Sequence, residues 1–87
     1  MGNYNIYFRK SAKKELEEID SPDLQRIVKK ISLLHANPRF SGAEKITGHD
    51  KYRIRQGNYR IVYSIQDDAR EVWIYKIAHR KLVYKKI

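Results

Sequence analysis

Hydrophobic and polar positions change period twice along this chain. Tyr4-Asn5-Ile6-Tyr7-Phe8 packs strand-forming residues into five positions and predicts a first strand. A helical period follows, with Ala12, Leu16 and Ile19 spaced three and four apart and charges between them. Ser11 is the expected N-cap of this helix, which should run for about two to three turns. Ser21-Pro22-Asp23 reads as a second helix start: a capping serine, proline at the first helical position, and an acid beside the helix dipole. Leu24, Ile27, Val28, Ile31 and Leu34 then form one apolar face, which Asn37-Pro38 ends. The connection between the two helices is very short, so they form a helical hairpin with charged, solvated outer faces.

Residues 38–50, with Gly42 and Gly48, read as a loop without assigned function. Beyond it the period drops to two, in runs at 51–55, 59–66 and 71–78, with a short tail at Leu82-Val83-Tyr84. Gly57-Asn58 divides the first two runs and Asp67-Asp68-Ala69-Arg70 the last two. The expected fold is one α+β domain over residues 1–87: an N-terminal strand, a helical hairpin, then a three-stranded antiparallel run forming a small curved sheet with the hairpin on one face. The place of the first strand in the sheet stays open.

A two-residue turn with glycine first is type II′. It pairs Gln56 with Tyr59, Arg55 with Arg60, Ile54 with Ile61, Arg53 with Val62 and Tyr52 with Tyr63. The isoleucine and tyrosine pairs then face the helices, while Lys51, Arg53, Arg55 and Arg60 share the other face. For the third run, pairing Gln66 with Arg70 sends Trp73, Tyr75 and Ile77 to the core. Lys76, and Arg80 if the strand continues, then join the basic face. A shorter loop would instead bury Val72 and Ile74, but also Lys76, so the first register is preferred. Like charges facing each other across a hairpin cost stability. An anion resting on the arginines would turn that repulsion into binding energy, since guanidinium is a planar fork of donors suited to phosphate. The plainer reading is a sheet face kept soluble by charge. Arg55 opposite Arg60 weakens it, because a purely solvated hairpin more often alternates sign.

Charge placement sharpens this picture. The 87 residues carry a net charge of +9, of which residues 51–87 hold +7 and residues 1–50 only +2. Such a field attracts polyanions: nucleic acid, an anionic membrane or an acidic protein. There is no cysteine, which excludes a disulfide framework and cysteine-based zinc or iron–sulfur sites. No apolar run has the length of a membrane span and no signal-peptide core is visible, so the expectation is a cytoplasmic protein without a membrane partner. No metal-ligand constellation, Ser–His–Asp arrangement or Gly-rich phosphate loop appears, and no cofactor is expected. Asp67-Asp68 read as turn formers. His35 and His49 lack partner spacing and read as structural or surface residues.

Tyr59-Arg60-Ile61-Val62-Tyr63, and His79-Arg80 followed by Tyr84, sit behind a strand and a helical hairpin in a chain of this size. Together they resemble the RelE/ParE toxins of type II toxin–antitoxin pairs over nearly the whole length. The resemblance implies one of two activities. RelE-like members cut translated messenger RNA in the ribosome, and ParE-like members poison DNA gyrase. It also implies a cognate antitoxin as partner. Carried over residue by residue, Arg53 and Arg55 match two basic strand positions that contact the RNA backbone, with Arg60, Arg80 and Tyr84 completing the RelE-like set. Those two strand positions are commonly lysine in the best-known RelE-like member. Arginine is a poor base, so Arg53 and Arg55 suit charge stabilisation, and proton removal falls to another group. His79, Lys51 and Tyr84 are the candidates, with His79 equally readable as structural. The candidate catalytic set is Arg53, Arg55, Arg60, Arg80, Tyr84 and His79. The candidate RNA-binding set is Lys51, Arg53, Arg55, Arg60, Lys76 and Lys81. The rival readings are a gyrase-binding toxin and a detoxified member or plain RNA-binding module.

Overall fold

A computed structural model describes residues 3–79. The chain runs β1 (Asn5–Phe8), α1 (Lys10–Glu17), α2 (Asp23–Ser32), a 3-10 turn (Leu33–His35), β2 (Glu44–Lys45), β3 (Tyr52–Gln56), β4 (Tyr59–Gln66) and β5 (Glu71–His79). The five strands form one sheet in the order β1-β5-β4-β3-β2. The position left open in the sequence is settled here: β1 lies parallel to β5, with Asn5 opposite Glu71 and Phe8 opposite Ile74. The sheet is therefore mixed, and the helical hairpin is the crossover that a parallel pair requires.

Both helix starts depart from their expected caps. α1 begins at Lys10 with Arg9 in the cap position, so Ser11 lies inside the helix. The reason is β1: the Arg9 amide donates to the Ile74 carbonyl at 2.9 Å, and the Arg9 carbonyl accepts from Lys13 at 2.9 Å. The chain thus passes from strand to helix at Arg9, which holds the cap position without a side-chain cap, and Ser11 comes too late to supply one. α2 starts at Asp23, with Pro22 in the cap position after a cis Ser21–Pro22 peptide and no side-chain cap. Along α2, Ile27 and Ile31 are buried, as is Leu34 in the turn that follows, whereas Val28 is 47% exposed.

The β3–β4 hairpin has the expected register throughout, from Tyr52↔Tyr63 to Gln56↔Tyr59. Gly57 takes φ +60°, the left-handed value that the first central position of this turn demands. β4 and β5 follow neither of the two registers weighed above, but a longer turn and then a shift. Gln66 pairs with Glu71 rather than Arg70, and this register holds to Tyr63↔Ile74, where it shifts, so that Val62 faces Lys76 and Ile61 faces Ile77. The bulge leaves Tyr75 as the extra residue. The longer turn buries Val72 and Ile74 in place of Trp73 and Tyr75, and the bulge then returns Ile77 to the core without burying Lys76.

The core lies between the hairpin and one sheet face. Ile54, Ile61 and Ile77 form a row across three strands, all nearly or fully buried, flanked by Tyr63, Val72 and Ile74 and met by Ala12, Ile27, Ile31 and Leu34. Each such aliphatic side chain contributes about 1.5–3 kcal/mol on burial. The Tyr63 hydroxyl donates to the Pro38 carbonyl at 2.6 Å, tying the start of the 38–50 loop to the core. Burial pushes its phenol well above the usual tyrosine range.

Candidate functional site

The sheet face turned away from the helices is built by alternation. Because Ile54, Ile61 and Tyr63 point inward, Arg53, Arg55, Arg60 and Val62 must point outward. Arg55 and Arg60 stand directly opposite each other, and Arg53 lies two residues along β3, opposite Val62. Arg55 is exposed, Arg53 half-buried, and Arg60 only 4% exposed in a cross-strand position beside Ala78. Arg53 Nε lies 3.2 Å from Glu44 Oε1, a partly exposed ion pair that holds the guanidinium close to β2. Exposed pairs of this kind are worth less than about 1 kcal/mol, so Glu44 yields readily to a competing anion.

Lys51 sits at the far end of the same face. Its Nζ lies 4.4 Å from the centre of the Tyr75 ring, and the Arg9 guanidinium 4.7 Å from it. Beyond them Tyr7 and Trp73 stack with ring centres 5.0 Å apart. This aromatic and cationic cluster was missed in the sequence, because the expected register sends Trp73 and Tyr75 to the core. As a signal, Lys76 points the other way: its charge, in phase with Val72 and Ile74, argues against the register that turns Trp73 outward, and only a bulge before it resolves the conflict.

Lys76 follows a different course from the arginines. Its Nζ is drawn to Glu15 Oε2 of α1 at 3.3 Å, while Glu15 Oε1 accepts the Ile77 amide at 2.9 Å. His79 does not join the arginine strip either. It pairs with Tyr59 at the end of the sheet, ring edge to ring face at 5.6 Å, and lines a cleft of about 300 Å³ with Glu15, Glu18 and Ile19 on the α1 side. Arg80, Lys81 and Tyr84 lie outside the described residues. Among the described residues there is no group of three or more His, Asp or Glu placed to hold a metal ion, and no helix is long and apolar enough to cross a membrane.

The sheet's outer end is braced from the loop. Arg39 donates from both terminal nitrogens to Asp67, at 3.0 and 2.9 Å, and from Nε to the Tyr52 hydroxyl at 3.1 Å. Tyr4 adds its hydroxyl to Asp67 at 2.8 Å. Arg39 first, then Tyr4, holds the Asp67 carboxyl down at about 2. Asp67 is thus a clamp between β1, the 38–50 loop and the β4–β5 turn, which is more than turn chemistry alone.

Comparison with known proteins fits this architecture. The family described as ParE toxin of type II toxin–antitoxin system, parDE, matches residues 6–84. A relative from Methanocaldococcus jannaschii that carries the name toxin RelE1 is 30% identical, over 94% of this chain and 96% of its own. This chain belongs to the RelE/ParE toxin superfamily. The toxin in the crystal structure of the intact E. coli RelBE toxin–antitoxin complex superposes with a TM-score of 0.79 at 26% identity, covering 87% of this chain and 95% of that one. The RelB–RelE antitoxin–toxin complex of Methanococcus jannaschii gives 0.74 at 29% identity, covering 93% and 98%. The RelE/ParE fold accounts for both the helical hairpin and the mixed sheet seen here.

Proposed function

We propose that this RelE/ParE toxin is a RelE-like, ribosome-dependent endoribonuclease that cuts translated messenger RNA without a metal ion. The observation that carries the reading is Arg55 facing Arg60, with Arg53 beside them, on the sheet face opposite the helices. In the reaction a ribose 2′-oxygen attacks the neighbouring phosphorus and the bond to the 5′-oxygen breaks. A 2′,3′-cyclic phosphate forms, the 2′ proton passes to a base, and the leaving oxygen takes one up. Charge builds on the equatorial phosphoryl oxygens, where Arg53, Arg55 and Arg60, joined by Arg80, lower the barrier. Tyr84 positions the base or passes a proton, and Lys51 and Lys81 hold flanking backbone. His79 serves as proton carrier only from the end of the sheet, so the reading does not depend on it.

The cytoplasm, the ribosome and a cognate antitoxin complete the proposal. Relatives crystallised with RelB antitoxins support the last of these. The +9 charge suits an acidic antitoxin segment. The test is to induce the chain alone in a bacterium and map message ends by primer extension. New cuts inside translated codons are expected, and they should disappear in Arg55→Ala, whose exposed position spares the fold, and in Arg60→Ala. The matching ParE description favours a second reading, a toxin that poisons DNA gyrase. Growth arrest with intact messages and DNA-damage signalling would select it.

A further inference from the structure

The 46–50 loop turns back beside Val62 on the outer face of the sheet. The Ile46 amide donates to the Lys51 carbonyl at 2.9 Å and the His49 amide to the Ile46 carbonyl at 3.1 Å, closing a tight turn. Between this turn and the sheet lies an open pocket of about 190 Å³ lined by Ile46, His49, Lys51 and Val62. Its walls are almost wholly apolar, yet its rim is cationic. Val62, on the floor, is the cross-strand partner of Arg53. Lys51 reaches from the rim to the Tyr75 ring.

We propose that this pocket receives one unstacked nucleobase of single-stranded RNA, beside the phosphate held by the arginines, and that His49 reads its edge. The inference rests on the nuclease reading above. Size favours this occupant: a helix about 10–12 Å across does not enter such a space, whereas a pocket of about 190 Å³ has room for one planar heterocycle. Charge favours it too. Single-stranded RNA is recognised by splaying bases into apolar or aromatic seats while cations follow the backbone, and Lys51, Arg53 and Arg55 form that cationic line. Spacing agrees: Arg55 is two residues from Arg53, about 7 Å along the strand, a span one nucleotide covers. Within the pocket lining, the imidazole of His49 supplies the ring nitrogens able to bond a base edge.

The test compares cut sites across many translated messages for the parent chain, His49→Ala and the pocket-filling Ile46→Trp, each induced alone. His49 lies in an exposed turn, so its removal leaves the fold intact if Ile46→Trp does not. The parent should favour particular bases at one position next to the cut. His49→Ala should flatten that preference roughly tenfold while cutting continues, as loss of a base-edge contact does. An unchanged base profile in His49→Ala overturns the subsite and leaves the nuclease reading standing. So does an unchanged profile combined with weaker capture of an acidic antitoxin peptide, which would make the pocket a protein contact. Absence of any cutting by the parent overturns both.

Discussion

Arg55 faces Arg60 across the β3–β4 hairpin, one exposed and one buried, in a register that Gly57 locks. Like charges directly opposite each other across a hairpin cost stability, and an acid opposite an arginine adds to it. Replacing Arg55 by Glu should therefore raise stability by about 0.2–1 kcal/mol while abolishing growth inhibition. Urea midpoints and colony counts on inducing plates measure the two effects. A destabilised Arg55→Glu protein would show that the hairpin does not bear this repulsion.

Much of this architecture was legible because its period is strong. The β3–β4 register followed from one glycine and two apolar pairs, Ile54–Ile61 and Tyr52–Tyr63, which a slip by one residue would have broken. What escaped reading was non-local. The β4–β5 bulge mixes two registers, and no local pattern announces an extra Tyr75. The α1 cap moved because β1 pairs with a strand more than sixty positions away in sequence. The arginine strip was visible, being a matter of alternation. The Tyr75 cluster was not, because it depends on the longer β4–β5 turn and that bulge, and neither was the turn at 46–50, which depends on tertiary contact with the sheet.

Asp67 joins the 38–50 loop to β1 through Arg39 and Tyr4. Its carboxyl is held at about 2 in the folded protein, below the ordinary value of 3.8. A lowered folded pKa contributes stability above the unfolded value, and that contribution fades as acid protonates the folded carboxylate. Asp67→Asn should thus be less stable than the parent at neutral pH, with the gap closing between about pH 4 and pH 2. Urea midpoints against pH would show it. A gap that stays constant through that range would mean the clamp does not act through charge.

Tyr63 is fully buried and spends its hydroxyl on the Pro38 carbonyl. Tyr63→Phe keeps the ring but strands that carbonyl, at a cost of about 1–3 kcal/mol. For a domain of this size each kcal/mol lowers Tm by roughly 4–8 °C. A melting temperature unchanged by Tyr63→Phe would mean water replaces the lost partner.

Glu15 protects the edge of β5 where β1 stops. β1 covers residues 71–74 only, and the Ile77 amide beyond them is taken by Glu15, whose second oxygen meets Lys76. Edge amides left open invite pairing with other chains. Glu15→Ala should cost about 1–3 kcal/mol, speed hydrogen exchange at the Ile77 amide, and raise concentration-dependent association. Glu15→Gln keeps an acceptor for the amide, though it gives up the charge that holds Lys76. It should restore slow exchange at Ile77. Fast exchange in Glu15→Gln as in Glu15→Ala would assign the protection to the ion pair with Lys76 rather than to the amide bond.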